Sequence, residues 1–335
     1  MKKIILAALA IAALASCTKT EVVGVTESNA IAFDNAFVDN ATKSVNDPSL
    51  TSSNLTDFAV YGFVEGAVLF DGTQVSKSIA NDDLQSAWKY AGTQYWIAGA
   101  KYNFNAVAPM TAGGWTKTVA DKTSTTLSFV NNGTTDLLYA TAAQEGKAEE
   151  NAQVAFTFRH VLSKVKFSFE NAYNATNATI KVKNIKITNP HKTADVVLTA
   201  ATAWSNQTAD DLVLEFGMAT DDEATAGVKE NVEVAYASGK TYESQNELFL
   251  IPSVDEEHPY AYTVKFDVEL LVSDQPIAVY THTVTANFAP MPGNSYDIKA
   301  VINATNIDPA HAQEPIEFTV NELPDWVTAA GVNAQ

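Results

Sequence analysis

The run Leu14-Ala15-Ser16-Cys17 is where residue types and order point most directly to a covalent reaction. It follows the basic pair Lys2-Lys3 and an apolar stretch from Ile4 to Leu14. Charge, then grease, then small residues is the layout of an export signal ending at a cut. A cysteine at that cut is the acceptor expected of a bacterial lipoprotein signal, in which the thiol takes a lipid and becomes the new N-terminus. Cys17 is the only cysteine in the chain, so it cannot serve an internal disulfide. The apolar stretch falls short of the ~20 residues that span a bilayer. No later segment approaches that length, so the rest is expected to lie outside the membrane, tethered through Cys17.

Other chemistry is sparse. His160, His191, His258, His282 and His311 are scattered, and none pairs with another at the spacing of a helical zinc site. His160 and His282 read as packing or hydrogen-bonding residues. Acidic clusters at Asp82-Asp83, Asp210-Asp211, Asp221-Asp222-Glu223 and Asp255-Glu256-Glu257 lack the glycine-centred spacing of a calcium loop. No phosphate-cradling glycine loop or Gly-x-Ser-x-Gly turn is present. No catalytic residue, cofactor or metal is therefore expected. Trp88, Trp96, Trp115, Trp204 and Trp326 could form platforms for sugar rings, but the stronger reading is aromatic filling of a core. The Asn-Ala-Thr triplets at Asn40, Asn174, Asn177 and Asn303 read as turns.

Composition narrows the classes further. The chain has 335 residues, 46% of them hydrophobic, and a formal charge of −18. That length suggests two domains of ~150 residues. The acidity repels nucleic acid and anionic lipid, and Arg159 is the lone arginine. A nucleic-acid partner is excluded on these grounds.

The elements that must position any site are strands. From Tyr260 to Val272 apolar and polar residues alternate, as they do on a strand with one buried face. Ser273-Asp274-Gln275-Pro276 then turns the chain, which returns with Tyr280, His282, Val284, Ala286 and Phe288 on one face. Similar runs occur at 58–64, 102–108, 125–130, 137–141 and 154–158 in the first half. The second half adds 180–187, 212–216, 232–236, 248–251, 296–302 and 316–320. No window shows sustained helical spacing, so the expected class is all-β, built as sandwiches.

Parity marks a division. Val154, Phe156 and Phe158 sit at even positions, whereas Val165, Phe167 and Phe169 sit at odd ones. Such a change swaps the buried face, so the segment from His160 to Lys164 must hold a bulge or a passage between sheets. The expected organisation is a signal over 1–17, a leader over 18–56, and β-sandwich domains over 57–165 and 166–335, with the polar, turn-rich stretch from Asn171 to Thr179 as the competing boundary. Within the polar leader, Ile31, Phe33 and Phe37 share a parity and could form a provisional, displaceable strand.

Five segments together resemble the fimbrillin family, the type V pilins of Bacteroides-type bacteria. They are Tyr102-Asn103-Phe104-Asn105-Ala106-Val107-Ala108-Pro109, Asp136-Leu137-Leu138-Tyr139-Ala140, the stretch from Phe156 to Val165, the stretch from Leu248 to Ser253, and Pro292-Gly293-Asn294-Ser295-Tyr296. The resemblance implies two tandem transthyretin-like Greek-key β-sandwich domains and export as an outer-membrane lipoprotein exposed on the cell surface. It implies assembly with other fimbrial subunits by donor-strand exchange, after a protease removes an N-terminal strand. A host protein or glycan receptor would be a further partner.

The chain departs from this family in one respect. Its best-known members are cut after an arginine, and here none precedes Arg159. Lys43 is the nearest substitute for a trypsin-like enzyme, with Lys19 the other basic residue of the leader. The tail from Thr328 to Gln335 is small and polar, which suits a tip or accessory subunit at least as well as a stalk subunit. A surface lipoprotein that binds polysaccharide through exposed aromatics is the competing reading.

Overall fold

The computed structural model describes residues 29–38, 47–84, 86–121, 124–147, 153–199, 202–217, 219–221, 238–307 and 315–323. These residues form twenty strands in four sheets and a single helical turn, α1 (Ala304–Ile307). The class is all-β, as the period-two patterning requires.

The first sheet has the order β1 (Phe33–Val38), β8 (Val154–His160), β7 (Leu138–Glu145), β4 (Lys101–Ala108), β2 (Asp57–Val64) and β3 (Ala67–Ser76). The second has the order β12 (Thr202–Thr208), β11 (Thr193–Leu198), β6 (Thr125–Val130) and β5 (Trp115–Ala120). One face of the first sheet packs on the second, with Tyr61, Phe63, Val107 and Tyr139 against Leu127, Phe129, Val196 and Trp204. Its other face is covered by the long connection after β3, which supplies Leu84, Trp88, Tyr90 and Trp96. Burial on both faces explains why β2 reads as an unbroken apolar run rather than an alternating one. Gly62 in β2 lets two rings close over it, since a Cβ there would meet Phe70 at 2.5 Å and Phe104 at 3.1 Å.

The third sheet has the order β13 (Leu214–Gly217), β10 (Ala178–Ile187), β17 (Tyr260–Val272) and β18 (Gln275–Phe288). It faces a fourth, ordered β14 (Ala219–Asp221), β15 (Thr241–Ser244), β9 (Ser163–Asn171), β19 (Ser295–Ile302) and β20 (Phe318–Leu323), with β16 (Leu248–Leu250) also pairing with β9. Phe167, Phe169, Ile180, Val182, Val264, Phe266 and Ile298 fill the core between them.

The parity change is a passage between sheets. β8 lies in the first sheet and β9 in the fourth, and Val161 and Leu162 between them are fully buried. The hairpin of β11 and β12 lies after the expected boundary at 165/166, yet β11 pairs with β6 along its whole length. A single cut in the sequence therefore does not separate the sheets. The expected strand over 232–236 falls outside the described residues. Asparagine turn chemistry is present: Asn177 has φ +57°, and the Asn303 side chain caps α1 by accepting the Thr305 N–H at 2.9 Å.

Candidate functional site

The site with a built geometry is the edge where β1 lies on the first sheet. β1 runs parallel to β8, with Phe33 opposite Val154, Ala36 opposite Phe156 and Val38 opposite Phe158. Ile31 and Phe33 are wholly buried. The Phe33 ring stacks on Phe156 at 5.7 Å and meets Phe58, Phe70, Tyr90 and Phe104 edge-on, with centroids 5.7–6.3 Å away. Burying two such side chains contributes about 1.5–3 kcal/mol each.

The strand's backbone is held by side chains outside the ladder as well. The Tyr90 hydroxyl donates to the Ile31 carbonyl at 2.8 Å and accepts from the Gln94 N–H at 3.1 Å. Burial, the largest effect, pushes that phenol up to about 12, so it stays a neutral donor. The Ile31 N–H bonds to the Gln94 carbonyl at 2.7 Å. Ser86 Oγ donates to the Phe33 carbonyl, and Ser52 Oγ accepts from the Val38 N–H.

Phe37 corrects one expectation. Its shared parity with Ile31 and Phe33 predicts that it lies on their face, but it is 54% exposed. The register with β8 shifts between Phe33 and Ala36. An extra residue in a strand reverses which positions face inward, so Ala36 and Val38 are buried instead.

Beyond the stretch 39–46, which lies outside the described residues, the chain is fastened again. Asp47 Oδ2 lies 2.6 Å from Lys164 Nζ, and that ammonium is 3.2 Å from Glu247. The Asp47 side chain has no exposed surface. Three residues on, the Leu50 N–H donates to Asp136 Oδ2 at 2.9 Å, and the same oxygen lies 2.8 Å from His160 Nδ1. Removing one partner of a buried ion pair costs about 3–5 kcal/mol. The chain from Asp47 onward is thus anchored without help from β1. Nothing in the sequence pattern marks Asp47 as buried, because its neighbours are polar and its ion-pair partner is more than a hundred residues away.

The remaining candidates sort simply. Cys17, Lys43, His311 and Trp326 lie outside the described residues. Trp88, Trp96 and Trp204 are buried in the cores, and Trp115 is half-buried with its indole N–H donating to the Pro109 carbonyl. His160 makes the buried bond to Asp136, while His282 stacks on Phe266 at 5.2 Å. Among the described residues no group of three or more His, Cys, Asp or Glu could hold a metal ion.

A model of fimbrillin-like proteins matches residues 42–322. Among solved structures, a fimbrial protein from Bacteroides vulgatus has the same fold, with a TM-score of 0.57 and 13% identity over 88% of this chain and 99% of its own. A candidate cell adhesion protein from Bacteroides uniformis aligns at 16% identity over 89% of this chain and 98% of its own, with a TM-score of 0.42. No curated protein sequence matches the chain. The match over residues 42–322 begins after β1 and takes in strands of every sheet, and the chain belongs to the fimbrillin-like family.

Proposed function

We propose that this chain is a non-enzymatic fimbrial subunit or surface adhesin, held at the outer membrane by a lipid on Cys17, that assembles by donor-strand exchange. The observation that carries this reading is the position of β1 at a sheet edge. Its ladder is with β8 alone, its buried anchors are Ile31 and Phe33, and its remaining contacts come from the connection after β3 and from Ser52, while the chain restarts from its own fastening at Asp47. A cut at Lys43, between those two points, would release β1 and leave the remainder tied down. The vacated groove, lined by Phe58, Phe104 and Phe156 beside an unpaired edge of β8, would then accept a strand from a neighbouring subunit, with backbone bonds supplying affinity and pockets supplying fit. The burial of three tryptophans gives the polysaccharide-platform reading no support.

Two experiments test the two halves. Limited trypsin treatment, followed by mass spectrometry and size-exclusion chromatography, should show cleavage at Lys43, loss of the preceding segment and stable oligomers, all prevented by Lys43→Gln. A trimmed product that has shed its leader and stays monomeric when concentrated would overturn strand exchange. For the anchor, Cys17→Ser should abolish lipid labelling and release the protein from the membrane fraction; undiminished labelling sinks that half.

A further inference from the structure

Edge strands invite pairing with other chains, and proteins usually blunt them with charge, proline, bulges or brevity. Most edges here are blunted. β3 carries Asp71 and two register breaks, β5 carries Lys117 and one, and β12 has a break against β11. β1 holds Asp34 and a break, β20 holds Glu322 in six residues, and β13 and β14 have four and three residues.

β18 has no such guard. It runs for 14 residues and contains no Asp, Glu, Lys or Arg. Its register with β17 is unbroken from Ala278 to Phe288, and Pro276 lies only at its start. At ~3.4 Å per residue it presents a ladder of about 48 Å. Among the described residues no strand lies on its outer side. The sandwich is also incompletely closed there: Tyr280 and Val284 are only partly buried beside Phe318 and Val320 of β20. On the opposite face Ile277 and Val279 are 60% and 61% exposed.

We propose that β18 is a pairing edge for a second copy of this chain, the two strands aligning antiparallel about a twofold axis so that the third sheets of both molecules become continuous. Charge selects this occupant. With −18 per chain, two copies repel wherever acidic surfaces approach, and β18 is the long edge that sets no charged side chain against its counterpart. A basic partner would find no carboxylate on it. Antiparallel self-pairing is isologous, and it brings Val279, Thr281, Thr283 and Thr285 opposite β-branched counterparts, a favourable cross-strand combination. Because β1 belongs to the other sandwich, this pairing needs no removal of the leader, unlike strand exchange.

The test uses the full chain carrying Cys17→Ser and Lys43→Gln, which is neither lipidated nor cut at Lys43. Sedimentation over a concentration series should show a monomer–dimer equilibrium. Val279→Lys with Thr283→Lys, at two exposed positions, should leave circular dichroism and the urea midpoint unchanged and shift the equilibrium to monomer. A twofold axis sets only one position of the strand against its own copy. Single cysteines placed in turn at Ile277, Val279, Thr281, Thr283 and Thr285, together with the pairs Val279/Thr285 and Thr281/Thr283, should therefore give disulfide-linked dimers on mild oxidation only at the position or pair that straddles the axis, whereas one at Thr118 on β5 should give none. A monomer at every concentration, dimerisation unaffected by the lysine pair, or cross-linking equal at Thr118 would each overturn the proposal. None of these outcomes bears on strand exchange, which is read only after cleavage.

Discussion

At the scale of single residues, the five positions from Phe33 to Phe37 decide which side chains of β1 are buried. Both phenylalanines look equivalent in the sequence, being apolar and of one parity. The register shift between them sends the first into a cluster of five rings and the second to the surface. A bulge depends on the partner strand's hydrogen bonds, so local pattern cannot reveal it. The difference is measurable in the uncut chain by urea unfolding. Phe33→Ala removes a fully buried ring and should cost about 3–5 kcal/mol, while Phe37→Ala should change stability by no more than about 0.5 kcal/mol. Equal costs at the two positions would contradict the bulge.

At the scale of elements, legibility followed how local the signal was. Strands with one wet face announced themselves: β6 and β17 occupy the spans that alternation marks, and the parity change after Phe158 locates the passage into the fourth sheet. β11 and β12 went unmarked, although β11 alternates buried and half-buried positions perfectly well. Its pattern is short, flanked by threonines and without aromatic emphasis, and what makes it a strand is β6, more than sixty residues earlier. The hairpin is held by Trp204, whose ring meets Phe129 at 5.9 Å and whose indole N–H donates to the Val161 carbonyl at 3.2 Å. Similarly, the connection after β3 reads as irregular, yet it supplies a whole layer of core through Trp88, Tyr90 and Trp96. Of the candidate site, the anchor residues Ile31 and Phe33 were legible; the clamp formed by Asp47, Lys164, Asp136 and His160 was not, because charged groups buried by long-range pairing carry no periodic mark.

At the scale of the whole molecule, acidity sets how stability responds to pH. Two histidines of the C-terminal half, His191 buried and His282 half-buried, pack on aromatic rings. His191 is buried against the Tyr260 ring at 4.2 Å, and burial holds its imidazole below the ordinary histidine value. His282 stacks on Phe266, and burial lowers it too, opposed by the negative charge of Asp267. In the unfolded chain both protonate near ~6.5. The unfolded state therefore binds more protons than the native state as pH falls below that value, and stability is lost in that direction. Asp297, pushed up by burial, works in the opposite sense. Acidification also reduces the net charge of −18 toward the isoelectric point near 4.6, which relieves self-repulsion. A comparison with His191→Gln/His282→Gln removes these shared contributions, because both proteins carry them. The variant will be less stable at neutral pH through lost ring contacts, so the informative quantity is the gap between the two urea midpoints. That gap should shrink between about pH 7.5 and about pH 5, a window that brackets the ordinary histidine value. A gap that stays constant across the window would mean that neither imidazole is held neutral by the fold.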